Sequence, residues 1–306
     1  MGRRALSGPG RIVVFGDVID DIVVRPHGPI RPDTDTSASI RQRPGGSAAN
    51  VAAWLGTLGA PVDFVGRVGA DDLERHEAHL SRLGVRARLI ADPGLPTGTI
   101  VVLIDENNCR TMLTERGANT RLIPADISDE TLDGAAAVYF TGYSVFSGAT
   151  NPDASPAAFQ QLIARCARRG IPVVVDPSSS GYLEDFGAER FLGAIAGASV
   201  LLPNLDEGRV LTGFDDPIEV AARLAEAFPV VALTLGGQGT VVAGTGTAPV
   251  VVPVAAVART DTTGAGDAFS AGFLVSWLGG ASLEAAADAG ALQAGRAIGV
   301  VGGRPA

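Results

Sequence analysis

The chain has 306 residues, 46% of them hydrophobic, and a formal net charge of −9, long enough to bury a full core as one large or two small domains. That acidic balance argues against a nucleic-acid or anionic-membrane partner, because both need clustered cations, and Arg41 with Arg43 reads as a solvated strand face. Lysine is absent, so all 24 cations are arginines, which excludes a Walker A lysine, a protein-kinase strand lysine and any Schiff base.

Met1 to Gly10 lacks the apolar core of a signal peptide and no apolar run reaches membrane-spanning length, so a cytoplasmic location is expected. The β-branched run 11–15 (RIVVF) predicts a buried first strand ending at Gly16-Asp17. Ligands of open α/β sheets sit outside the carboxyl ends of strands, which makes Asp17, Asp20 and Asp21 site candidates. Asp21 is the strongest of the three, while Asp17 and Asp20 fit a solvated turn equally well. Residues 25–43 are polar and weakly alternating, as in short exposed strands. A matching region spans 97–116, where 98–105 and 110–114 flank the turn Glu106-Asn107-Asn108. Segments from about 18–43 and 97–116 can pair into one small β-lid that closes over a ligand and excludes water.

Between those segments, Pro44-Gly45-Gly46-Ser47-Ala48-Ala49-Asn50 leads into an amphipathic helix. The glycine pair lets backbone approach a ligand, and Asn50 can offer its amide to a hydroxyl or cap the helix locally. From about residue 61 strands and helices alternate: 62–65, a helix around 71–83, 136–140, 157–169, 172–175, 191–195, 200–202, 218–228, 230–234, 240–243 and two C-terminal helices. This order predicts a mainly parallel sheet covered on both faces. Several strands run into polar groups, namely Asp176-Pro177, Asn204-Leu205-Asp206-Glu207, and Gly236-Gly237-Gln238-Gly239 after Thr234. Asn204 and Glu207, three apart, suit a helix cap or a water-rich magnesium shell. Gly236 and Gly239 suit a hairpin turn or close approach to a nucleotide. No Gly-x-Gly-x-x-Gly follows the first strand, which disfavours a dinucleotide-binding oxidoreductase. Cys109 and Cys166 have no metal-ligand spacing and read as thiols of a reducing compartment. His27, His76 and His79 form no zinc motif, the last two on a charged, exposed helix.

The stretch Asp261-Thr262-Thr263-Gly264-Ala265-Gly266-Asp267 precedes a continuous apolar run, 269–278, that reads as a buried helix. Gly264, Ala265 and Gly266 then lie at a helix N-terminus, where unpaired amides and the positive end of the dipole make a bare anion site. Asp267 taken alone is a first-turn cap. Beside an anion hole it can accept the proton of an alcohol attacking a phosphoryl group, and the rest of the chain supports that reading.

In this order, RIVVFGDVIDD, GGSAAN, RTMLTERGAN, NLDE, LTLGGQG and DTTGAGDAFSAGF resemble the ribokinase-like carbohydrate kinase family, also called PfkB, over nearly the whole chain. The resemblance implies one α/β domain over 1–306: a mainly parallel sheet with helices on both faces and a small β-lid. It implies ATP-dependent phosphorylation of a hydroxymethyl group on a sugar, with a nucleoside as the alternative acceptor. By that similarity Asp267 is the catalytic base and Gly264, Ala265 and Gly266 its anion hole. Asn204 and Glu207 organise Mg2+ and phosphate, Thr234, Gly236 and Gly239 belong to the nucleotide turn, and Asp21, Gly45, Gly46 and Asn50 hold acceptor hydroxyls, with Asp17 close by. Ile19 and Ser47 stand where ribokinases proper carry asparagine and lysine. Trp54 and Tyr143 also resemble positions of nucleoside kinases, where an aromatic ring stacks on a base. A monovalent-cation loop is expected around Asp261, and exposed lid strands suit a homodimer. A non-catalytic ligand sensor is a further alternative, disfavoured because a sensor need not keep Asp267.

Overall fold

Valine- and isoleucine-rich runs bury both faces only when layers cover the sheet on either side. In the computed structural model, which describes residues 10–106, 109–254, 263–299 and 302–305, these runs build two sheets. The strands are β1 Arg11–Phe15, β2 Ile19–Pro26, β3 Ala38–Gly45, β4 Val62–Gly69, β5 Val85–Asp92, β6 Gly98–Ile104, β7 Arg110–Glu115, β8 Ala135–Thr141, β9 Val173–Asp176, β10 Val200–Leu201, β11 Val230–Thr234, β12 Thr240–Gly244 and β13 Val250–Val252. Nine form the large sheet in the order β13-β12-β11-β10-β9-β8-β1-β4-β5. From β5 to β11 every pairing is parallel, and β12 and β13 close one edge antiparallel. On central β1 the two-residue period divides the core: Val13 and Phe15 enter one apolar layer, Ile12 and Val14 the other.

The second sheet runs β3-β2-β6-β7. Its middle pair, β2 with β6, is parallel and joins the two sequence-distant polar segments, while β3 and β7 flank it antiparallel. Ile40, Met112 and Leu113 on its outer strands are each more than half exposed. The turn residues Asn107 and Asn108 lie outside the described residues.

Three expectations need correcting. The helix Ser47–Thr57 was expected to be amphipathic, but residues 48–55 are all buried. Its alanines let it press against the large sheet on one side and the helix Ala265–Leu278 on the other. Strands β5 and β13 carried no sequence signal strong enough to be expected. Arginines interrupt the apolar pattern of β5 because it is an edge strand, from which Arg86 and Arg88 reach Asp63 on β4. Finally, His76 is buried, not exposed, because the helix Leu73–Arg82 turns its 76 and 80 positions inward. Its Nε2 lies 3.6 Å from Asp20. Among the described residues no helix is long and apolar enough to cross a membrane.

Candidate active site

The three acids that follow β1 take three different directions. Asp17, 6% exposed, accepts from the backbone amides of Ser47 at 2.8 Å and Ala48 at 3.3 Å, and from the Thr141 hydroxyl at 3.3 Å. It therefore caps the helix Ser47–Thr57 from just beyond the end of β1 and does not sit in a solvated turn. Asp20 receives a two-pronged contact from Arg75, one arm at 2.9 Å, and points away from the cavity described below. Burial pushes its carboxyl up, but the His76 and Arg75 bonds outweigh that and hold it below the usual range. Only Asp21 faces ligand space without such a partner, and burial pushes it up to about 7, with Arg304 pulling down and Asp17 and Asp20 pushing up.

Gly45 and Gly46 are required by close approach. A Cβ on Gly45 would run into the Asp21 carboxylate, and one on Gly46, at φ 92°, would lie 2.6 Å from the Asp17 carbonyl oxygen. Behind them Ser47 Oγ donates to Asp267 Oδ1 at 2.7 Å and Asn50 Nδ2 donates to Asp267 Oδ2 at 2.8 Å. One Asn50 N–H is thus directed at Asp267, and the side chain also lines the cavity in which an acceptor hydroxyl is expected. Ser47 enters the site as a donor that the sequence had marked only as a departure from ribokinases.

Asp267 stands in the first turn of the helix Ala265–Leu278, whose N-cap Gly264 adopts the left-handed φ of 74°. A Cβ on Gly264 would meet Gly303 at 2.5 Å, whereas one on Gly266 would meet nothing within 4 Å. Bare backbone at Gly266 therefore opens onto free space. The Asp267 carboxyl is pushed up to about 7, first by burial and further by Asp176 and Asp17, against the Ser47 and Asn50 bonds. A carboxylate poised near neutrality and held by two donors is suited to take a proton.

These groups surround one cavity of about 590 Å³, lined among others by Asp17, Asp21, Gly46, Ser47, Asn50, Gly264, Gly266 and Asp267. That volume is in the range of small-molecule sites. Asn204, Glu207 and Thr234 line the cavity too. Asn204 and Glu207 form a reciprocal cap on the helix Leu205–Thr212: Asn204 Oδ1 accepts from the Glu207 amide at 2.9 Å and Glu207 Oε2 from the Asn204 amide at 2.9 Å. So cap and cavity wall are the same two residues, and burial raises the Glu207 carboxyl. Gly236, at φ 58°, and Gly239, at φ 106°, shape the turn from β11 to β12 and are not among the residues lining this cavity, nor are Ala265 and Gly45. Asp261 and the expected monovalent-cation loop lie outside the described residues.

Several residues in the site carried little sequence signal. Asp176, noted only as a polar strand end, takes Ser270 Oγ at 3.1 Å and Tyr139 Oη at 3.3 Å and faces the cavity between Glu207 and Asp267. Arg43 and Arg110 of the small sheet and Arg116 just after β7 line the cavity, as do Tyr143 and Tyr182, which pack edge to face at 5.7 Å. In RTMLTERGAN, Asn119 clamps the Val18 backbone from both sides, donating to its carbonyl at 2.8 Å and accepting from its amide at 2.9 Å.

The raised carboxyls fix the sign of a stability measurement. A carboxyl whose folded value lies above its ordinary 3.8 binds its proton more tightly in the folded state, so its contribution is fully present below 3.8 and is lost as pH rises through about 7. His79, held down to about 4 by burial, opposes this only below its ordinary 6.5. The ligand-free protein should therefore lose roughly a few degrees of Tm between pH 6.5 and 8, and less in Asp21→Asn. A Tm that is flat or rises over that interval in differential scanning calorimetry would contradict this account of the site.

Residues 10–306 match the family described as pfkB family carbohydrate kinase. The chain is 33% identical to an ATP-dependent ribose-1-phosphate kinase of Halopiger xanaduensis over 94% of this chain and 92% of that one. It is 30% identical to the bifunctional protein HldE of Edwardsiella ictaluri over 95% of this chain, and spans 60% of that protein's length. A solved adenosine kinase from Sinorhizobium meliloti superposes with a TM-score of 0.85 at 27% identity, over 97% of this chain and 96% of that one.

Proposed function

The chain belongs to the pfkB family of carbohydrate kinases, and from that premise we propose that its cavity transfers the γ-phosphoryl of ATP to a sugar hydroxyl, with Asp267 as general base. The acceptor O–P bond forms as the bond to the bridging oxygen of ADP breaks, and the hydroxyl proton passes to Asp267. The observation that carries this reading is the Asp267 carboxylate, bonded by Ser47 and Asn50 and lining the same cavity as Gly264 and Gly266; in this reading the amides of that first turn hold the transferring group. Asp21, to which bare Gly45 gives room, holds acceptor hydroxyls together with Gly46 and Asn50. Asp17 serves by fixing the helix that carries Ser47 and Asn50. ATP occupies the part of the cavity lined by Asn204, Glu207 and Thr234, with Gly236 and Gly239 shaping its outer turn. Magnesium supplies charge neutralisation on the phosphates. Because no three acidic, histidine or cysteine groups converge among the described residues, the protein fits an ion carried on the nucleotide with a water shell near Asn204 and Glu207. A monovalent cation at the Asp261 loop remains part of the proposal, as do a single domain over 1–306 and a cytoplasmic location, where ATP is plentiful.

Three arginines favour an acceptor that already bears an anion. Arg43, Arg110 and Arg116 line the same cavity as Asp21 and Asp267, and burial holds Arg116 below its ordinary value, with Asp17 the first charge opposing that. A buried guanidinium is stabilised by a bidentate oxyanion such as phosphate. The relative named as a ribose-1-phosphate kinase supports this class. A nucleoside is the second reading, favoured by Tyr143 and Tyr182 lining the same cavity. ADP release measured over sugar phosphates, neutral sugars and nucleosides should give kcat/KM for a sugar phosphate roughly 10²-fold or more above the others, as charge-assisted bonds to a phosphate warrant. A nucleoside at the head of that ranking would displace the sugar reading, and no turnover of any acceptor would remove the kinase reading. The exposed Ile40, Met112 and Leu113 of the small sheet support a homodimer through the lid, which a monomer mass in sedimentation velocity would rule out.

A further inference from the structure

Behind Asn50, on the side away from the cavity, lies Arg304, 7% exposed. Its Nε donates to Asn50 Oδ1 at 3.1 Å and its Nη2 to the Gly45 carbonyl at 2.6 Å. The segment carrying it is fastened by Trp54 Nε1, which donates to the Gly303 carbonyl at 3.0 Å, and by Gly303 lying directly against Gly264. One guanidinium thus bridges the Gly45-Gly46 corner and the residue that orients Asp267. From this geometry we infer that Arg304 is a positioning residue of the phosphoryl-transfer site: it fixes the Asn50 carboxamide with its NH2 toward Asp267, and through the Gly45 carbonyl it sets a buried positive charge one residue away from the Asp21 carboxyl that bare Gly45 admits. The inference rests on the reading of Asp267 as the base.

The first half follows from donor and acceptor inventory. A guanidinium has donors only, so the Asn50 atom it contacts must be the oxygen, and the NH2 is then forced toward the Asp267 carboxylate. Without Arg304 the carboxamide is free to flip and set its oxygen against a carboxylate. For the second half, the charges acting on Asp21 are Asp17 beyond the end of β1, Asp20 on its own strand and Arg304, with Arg43 as its register partner on β3 and the apolar Ile100 opposite it on β6. Arg304 is in turn held charged by Asp21, Asp17, Asp20 and Asp267, although burial lowers it to about 10.

Arg304→Met removes the charge at nearly constant volume, and Arg304→Lys keeps a charge but loses the fork that reaches Asn50 and Gly45 together. The readouts are kcat and KM for acceptor and ATP from pH 5.5 to 9, and the 13C-carboxyl titration of Asp21, which needs no substrate. For Arg304→Met, kcat/KM for the acceptor should fall roughly 10²-fold, as for an orienting group displaced by an ångström, with KM for ATP within about twofold. Both the acid limb and the Asp21 titration should rise by about one unit. Arg304→Lys should return the limb and the titration to wild type while recovering only part of kcat. An Asp21 titration unmoved in Arg304→Met, or equal losses in both variants at a wild-type acid limb, would make the residue mere packing and overturn the proposal. Should Arg304→Met fail to fold, Arg304→Lys decides: reduced kcat at an unchanged limb supports the proposal, and full kcat overturns it. A wild type that turns over no acceptor would remove the kinase reading alone, and the Asp21 titration would still settle the role of Arg304.

Discussion

Asp267→Asn should lower kcat by roughly 10²–10⁴-fold, the range of a lost general base, and leave the ATP dissociation constant by calorimetry within about twofold. The side chain is nearly isosteric, so packing around the first turn of Ala265–Leu278 stays intact. What changes is the capacity to take a proton and the pairing with neighbours. Ser47 Oγ can still donate to the remaining oxygen, but the new NH2 then meets the Asn50 NH2 across the 2.8 Å that now separates Nδ2 from Oδ2. Part of the loss therefore belongs to this donor-donor conflict. Asp267→Ala separates the two effects, because it removes the base without adding a donor. Equal losses in both variants assign the effect to the base, and a much milder loss in the alanine variant assigns it to the conflict. More than a tenth of wild-type kcat in Asp267→Asn would take Asp267 out of the proton path.

Much of this site is legible in the sequence because its chemistry sits in contiguous stretches. Glycines before an acid and an apolar run are a local pattern, and Gly264, Gly266 and Asp267 do lie at the start of the helix Ala265–Leu278. The large parallel sheet was legible for the same reason, since β1, β8 and β9 are short apolar runs that bury both faces. Asp21 stood out among its neighbours, but the separate fates of Asp17 and Asp20 did not. They depend on partners 30 to 124 residues away: the Ser47 amide, Arg75 and Thr141. Asn204 and Glu207 show why a cap and a site cannot be told apart by spacing, since the reciprocal cap is what sets both side chains at the cavity. Arg304 had no local signal at all, because its partners Asn50 and Gly45 are separated from it by 254 and 259 residues.

Gly266→Ala should leave the protein as stable as wild type or slightly more so, and disable it. An added Cβ there meets nothing within 4 Å, and alanine exceeds glycine by up to about 1 kcal/mol in a helix interior, less in a first turn. The same methyl, however, stands in the open space above the first turn, where the proposed site holds the transferring phosphoryl, so kcat should fall by roughly 10²-fold or more. Gly264→Ala moves both quantities down. At φ 74° its new side chain is strained, and its Cβ would press into Gly303 at 2.5 Å, which together should cost about 1–3 kcal/mol. The displaced Gly303 would also drag Arg304 off Asn50. Opposite signs of stability and activity at Gly266, beside matching signs at Gly264, are difficult to obtain unless the helix N-terminus is an anion site. A Gly266→Ala variant with kcat within threefold of wild type would place the phosphoryl group elsewhere, and no other assignment of the glycines would then connect Asp267 to ATP.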